Sequence, residues 1–246
     1  MTLIDVTMPD VGAVALMNAA RLIAFSNDAE IEALTRRDRV VMAVSALSRP
    51  HACTSLTALD CTGLTQVTTA GDHWLTGCTS LTALDCAGLS QLVTVGHCWL
   101  HDCASLTALD CAGLTQLTTV GGYWLYGCTS LTALDCTGLT RLTTVGSLWL
   151  AGCKRLTALN STGLSQLVTV GNYWLVDCAS LTALDCTSLT QLTTVGDHWL
   201  QGCTSLASLD CTGLTQLSSV GHFWLAYCTS LIALDSSTGW RSPAPA

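Results

Sequence analysis

The sequence predicts an α/β solenoid: a right-handed array of parallel strands and short helical turns, preceded by a helical N-terminal cap. Three observations predict it. A 25-residue unit repeats without a slip, with complete copies starting at Cys53, Cys78, Cys103, Cys128, Cys153, Cys178 and Cys203, and an eighth running from Cys228 to Asp235. Apolar residues return at the same places in each copy, and one unit cannot bury its apolar side without neighbours above and below. Charged residues are only 11% of the chain, against roughly 25% in an average domain, which leaves Thr, Ser, Gln and Gly to cover most of the surface.

Residues 1–52 are a different material. Val11, Val14, Ala15, Met17, Leu22 and Phe25, then Ile31, Leu34, Val41, Val44 and Leu47, fall at helical spacing. Pro9 with Asp10 suits a first helical turn, Asn27 with Glu30 a capping arrangement, and Thr35 with Asp38 a restart, before Pro50 ends the segment. A repeat array needs its terminal apolar face covered, so this segment is expected to be a helical cap. Residues 53–235 are the array and residues 236–246 a disordered tail.

Positions within a copy are counted from its first Cys. Leu at positions 4 and 7 and Cys at position 9, as in Leu56, Leu59 and Cys61, end in an in, out, in alternation that marks a short strand. Leu64, Val67 and Ala70 continue inward at every third residue, which suits an arc or a second short extended stretch. Gly71 then turns the chain. Position 20 is Asp72, His97, Gly122, Ser147, Asn172, Asp197 and His222, mostly residues that cap the expected helical turn holding Trp and Leu.

These words resemble the leucine-rich repeat superfamily, most closely its BspA-like class. The matching segments are Leu131-Thr-Ala-Leu-Asp-Cys136, then Leu142-Thr-Thr-Val-Gly146, then Trp149-Leu150-Ala-Gly-Cys153. The unit is a little longer than that of the class, Cys stands in the strand where the class has Ile, and Trp-Leu replaces Ala-Phe. The resemblance implies a surface or adaptor protein that binds other proteins, and it implies no enzymatic activity. Met8-Pro9-Asp10-Val11 also resembles the Leu-Pro opening of the F-box module, which implies a ubiquitin-ligase substrate adaptor as the alternative. A third reading, a structural or ice- or mineral-facing repeat, comes from the regular Thr columns such as Thr57, Thr82 and Thr107.

Chemistry-bearing residues are expected to be structural. Eight Cys form a column at position 1 and six at position 9, Cys98 being the fifteenth, and no Cys-x-x-Cys metal spacing occurs. The densest cluster, His97-Cys98-Trp-Leu-His101-Asp102-Cys103, occurs in a single copy. Inward, unpaired Cys is a common packing residue, and Trp74 to Trp224 at position 22 are read as packing against the neighbouring turn. No acid, base and nucleophile converge at a local break in the pattern, so no catalytic residue, cofactor or metal is expected.

The net charge of −8 comes from eleven Asp in the repeats facing only Arg141, Lys154 and Arg155. That balance excludes a nucleic-acid face. No run of 18 or more apolar residues spans a bilayer. No secretory signal is read, and an odd number of thiols favours a reducing, cytoplasmic compartment, while the resemblance also implies a surface location.

The candidate interaction surface has two parts. One is the outward column Asp60, Asp85, Asp110, Asp135, Asp185 and Asp210, interrupted by Asn160, whose like charges need an offset. The other is the variable rim at positions 20, 21 and 24, with His73, Tyr123, Tyr173 and His198, together with Lys154 and Arg155 of the fifth copy. The expected partner is a protein, and the apolar last copy suggests end-to-end self-association.

Overall fold

The computed structural model describes residues 54–61 and 64–235. The helical cap, the F-box-like opening and the tail all lie outside these residues. Each copy contributes two short strands, and successive copies stack in parallel. The first sheet runs through β1 (Ala58–Asp60), β3 (Ala83–Asp85), β5 (Ala108–Asp110), β7 (Ala133–Asp135) and β9 (Ala158–Asn160). A separate ladder carries the same face onward through β11 (Ala183–Asp185), β13 (Ser208–Asp210) and β15 (Ala233–Asp235). The second sheet is unbroken over seven strands, from β2 (Thr69–Ala70) through β4 (Thr94–Val95), β6 (Thr119–Val120), β8 (Thr144–Val145), β10 (Thr169–Val170) and β12 (Thr194–Val195) to β14 (Ser219–Val220).

Register is set by the repeat. Ala58 lies against Ala83, Leu59 against Leu84 and Asp60 against Asp85, and the same residues continue up the array. In β3, β5 and β7 the outer two residues are exposed and the central Leu buried, as the alternation requires. The every-third-residue inward pattern also has a backbone cause. Leu139 N donates to Cys136 O at 2.9 Å and Leu142 N to Leu139 O at 3.1 Å, so consecutive three-residue turns carry the chain round the corner between the sheets.

The expected helical turns do not form. The described residues contain one three-residue 3-10 turn, Ala87–Leu89, and no α-helix. At positions 21, 23 and 25 the backbone instead takes positive φ in every coil, as at Tyr123 (64°), Leu125 (58°) and Gly127 (70°). Alternation of this kind cannot wind a helix, and it sends the amides between coils. Tyr123 N donates to Ser147 O of the coil after it, and Leu125 N to Trp99 O of the coil before, at 2.7 and 3.1 Å. A lone four-residue turn would carry the full cost of helix nucleation. Stacking satisfies the same groups without it.

Position 20 has a different task from the one expected. Its side chain accepts a hydrogen bond from the position-20 amide of the next coil: His97 N to Asp72 Oδ1 (2.7 Å), Gly122 N to His97 Nδ1 (3.0 Å), Asp197 N to Asn172 Oδ1 (2.9 Å) and His222 N to Asp197 Oδ1 (2.7 Å). Residues chosen as helix caps therefore tie one coil to the next.

Candidate interaction surface

The interior rules out several chemistries for the columns. Trp74, Trp99, Trp124, Trp149, Trp174, Trp199 and Trp224 form one stack, with ring centroids 5.3–5.8 Å apart and planes within 16° of parallel. The five central indoles are fully buried, so packing between turns, as the sequence suggested, is what the column does. The indole N–H groups of Trp74 through Trp199 have no hydrogen-bond partner, a condition that costs about 1–3 kcal/mol for a buried donor.

The thiols are held as donors. Cys103, Cys128, Cys153, Cys178, Cys203 and Cys228 each donate to a Leu carbonyl one coil below, at 3.0–3.1 Å. Burial, with the carboxylates of Asp110 and Asp135, pushes the Cys111 thiol up to about 12. Burial also raises Cys153 to about 12, against the lowering effect of its backbone hydrogen bond. Protonated, enclosed thiols are poor nucleophiles and poor ligands. Cys98 is partly exposed, as its place on the rim implied, but Cys228 is as well. Among the described residues no group of three His, Cys, Asp or Glu is placed to hold a metal ion.

The Asp column is a row of turns. Asp85, Asp110, Asp135, Asp185 and Asp210 each accept, through Oδ1, the amide two residues on at 2.8–3.0 Å. Each strand thus ends in an Asx turn. The strands place Asp85, Asp110 and Asp135 in one column, with Asp60 at the matching register below. At the interruption Asn160 donates Nδ2 to Asp135 Oδ1 at 3.0 Å. The offset to like-charge repulsion is thus first of all backbone amides. The Thr columns are similarly engaged: Thr107 and Thr157 donate their hydroxyls to Thr82 O and Thr132 O one coil below, both at 3.0 Å.

The rim differs from both sheets because its side chains vary and project. Tyr173 stacks on His198 at 4.5 Å, and His198 on Phe223 at 5.0 Å. A second group joins Tyr123, Tyr126 and His101, with His101 stacked on Tyr126 at 5.1 Å and Tyr123 edge-on to both at 5.8 Å. Tyr123, Tyr173 and Phe223 are 40%, 38% and 58% exposed. His73 is exposed at the other end of the same file. Lys154 and Arg155 are exposed before β9, in the coil that also carries Asn160. Phe223, Tyr126 and His101 were not in the expected set, although the variability of positions 21 and 24 was the signal that marks them.

Stacked coils, monotonous sheets and a variable rim define a parallel-strand repeat array of the leucine-rich kind. The chain belongs to the BspA type leucine rich repeat family, whose sequence profile matches six copies over residues 51–182 and 136–241. No curated protein matches the chain. Among solved structures it is similar to a T. pallidum leucine rich repeat protein (TpLRR), with 19% identity, coverage of 71% of this chain and 77% of that one, and a TM-score of 0.53. The functional domain of InlJ from Listeria monocytogenes, described as including a cysteine ladder, has 25% identity over 74% of this chain and 42% of that one, with a TM-score of 0.33. A leucine-rich repeat protein from Bacteroides ovatus has 13% identity over 78% and 68%, with a TM-score of 0.29. No helix of the described residues is long and apolar enough to cross a membrane.

Proposed function

We propose that this chain is a non-enzymatic protein-interaction module whose contact surface is the rim formed by positions 21 and 24. The observation that carries this is the aromatic file in which Tyr123, Tyr173 and Phe223 are exposed and Tyr126, His101 and His198 stack half-buried beside them. Tyr is among the residues enriched at protein interfaces, because it combines a large, rigid contact area with a polar tip. The sheets offer little to discriminate between partners, since their outward Asp and Thr groups repeat from coil to coil and already bond to the backbone. The buried thiols of Cys103, Cys128, Cys153, Cys178 and Cys203, which donate to backbone carbonyls instead of forming disulfides, support a reducing compartment. A photo-crosslinking residue at position 173 is expected to trap a partner that the same residue at position 132, on the strand face, does not. Equal trapping at both positions, or trapping at 132 alone, would overturn the assignment to the rim.

A further inference from the structure

We propose that the tryptophan column is a path for single-electron oxidising equivalents along the array. Packing alone explains a stacked apolar column but not the choice of indole. A phenyl ring can stack in such a column without a polar N–H, yet the N–H groups of Trp74 through Trp199 are enclosed without an acceptor. Buried groups left unsatisfied in this way call for an explanation, and a redox role is one of the few that apply.

Three features of the column suit that role. Its rings are nearly parallel and separated by 5.3–5.8 Å over six consecutive steps, close enough for π-systems to exchange an electron at each. An oxidised indole normally loses its N–H proton and becomes a neutral radical fixed in place; with no acceptor at the nitrogen the proton stays, and the radical cation remains free to move. Finally, the array has a net excess of carboxylates, including Asp72, Asp102, Asp177 and Asp197 at the edge that carries the indoles, which favours a positive charge within it.

The steps balance as follows. An oxidant of the one-electron class, such as a photogenerated ruthenium(III) polypyridyl, takes one electron from Trp99 and is itself reduced. Trp124 returns an electron to Trp99, Trp149 to Trp124, and Trp174 to Trp149, with no bond broken and no proton moved. The positive charge leaves when Tyr173, next in the chain to Trp174 and 38% exposed, gives up an electron to the column and its phenolic proton to water. The net products are the reduced oxidant, a tyrosyl radical and a solvent proton.

The test uses the full chain with a ruthenium polypyridyl attached to Cys98, next in the chain to Trp99, and Cys53 and Cys228 changed to Ser. Tyr123→Phe and Tyr126→Phe remove the tyrosines near the label. Flash oxidation in the presence of a diffusible electron acceptor is expected to give an indole radical cation by transient absorption, followed by a tyrosyl radical by electron paramagnetic resonance. Trp149→Phe keeps a ring in the stack but removes the oxidisable indole, so the tyrosyl signal should be lost while the early indole signal remains. Trp174→Phe breaks the path one step later and serves if Trp149→Phe does not fold. A tyrosyl radical formed with the same yield and rise time in these variants, or none in the parent, would overturn the proposal.

Discussion

The hydroxyls of Ser161 and Ser188 lie 3.0 Å apart at the place where the first sheet divides. Ser161 is where the other complete copies carry Cys at position 9, and Ser188 is where they carry Gly at position 11. The two exceptions belong together. A Cβ built at Gly113, Gly138 or Gly163 would sit 1.9–2.3 Å from the position-9 carbonyl of the coil below. Ser188 brings a Cβ to that place, and β9 and β11 no longer share a ladder. Ser161 Oγ donates to Asp185 O at 2.7 Å, and Ser188 Oγ can donate to Ser161 O at 2.8 Å, bridging the opening with side chains.

A double-mutant cycle at this pair should therefore show coupling. Ser161→Cys and Ser188→Gly are each expected to destabilise by about 1 kcal/mol, with the double variant more stable than their sum by about 0.5 kcal/mol or more. Urea unfolding of the four proteins measures it, and simple additivity would disprove the pairing. Gly138→Ser, made against an unchanged Cys111, should cost more than either.

Alkali should unfold the array well before it titrates arginine. Burial raises Cys111, Cys153, Cys203 and Cys211 from 9.0 to about 12. A raised folded-state pKa gives stability that is complete below the unfolded value of 9 and is lost as pH rises toward 12. One unit above 9, each such thiol removes on the order of 1 kcal/mol, so a steep fall in melting temperature is expected between pH 9 and 10. A flat profile from pH 8 to 11 would show the thiols to be open to solvent.

Gly152 isolates the cost of backbone conformation. Its φ is +73° and an added Cβ would meet nothing closer than 3.9 Å, so Gly152→Ala introduces left-handed strain without a clash. The expected loss is about 1 kcal/mol, with Gly152→Asn losing less. Thermal melts of the two variants decide it, and an unchanged Gly152→Ala melt would contradict the positive φ.

The Asx turns predict a split between two replacements of one carboxylate. Asp110→Asn keeps the acceptor for the Ala112 amide, now 2.8 Å from Asp110 Oδ1, and removes a charge from the column. It should be neutral or mildly stabilising at low salt, since Asn160 keeps the same turn by accepting from Thr162 N at 3.2 Å. Asp110→Ala leaves the amide without its partner and should cost about 1 kcal/mol. Equal effects of the two would mean that charge alone matters at this position.

The repeat made most of the fold legible. Leu56, Leu59 and Cys61 point inward as their alternation says, and the outward Asp column follows from the residue between two buried ones. The conformation around Leu125 was not legible, because Leu and Trp favour helix when read locally and left-handed backbone is normally signalled by Gly or Asn. Only position 25, with Gly77, Gly127, Gly152 and Gly202, carried that signal. What holds Leu125 there is the coil on either side, a partner that no local window contains. On the surface, variation at positions 21 and 24 marked the rim, whereas ring stacking such as Tyr173 on His198 depends on neighbours 25 residues apart. The Ser161 and Ser188 pair was visible as two departures in successive copies, and their meaning lay in the glycine contact they replace.

The divided first sheet has a mechanical consequence. At the other junctions between the first seven copies a strand ladder on each side of the coil shares an axial load, but between β9 and β11 the first side has no ladder and is bridged by the two serines. Tension there falls on the β10 and β12 pairing, the Trp174 and Trp199 stack and the contact of Tyr173 with His198. An array pulled between its first and seventh copies would tear first at this junction. Single-molecule pulling should show an early rupture that closing the ladder with Ser161→Cys and Ser188→Gly moves to higher force.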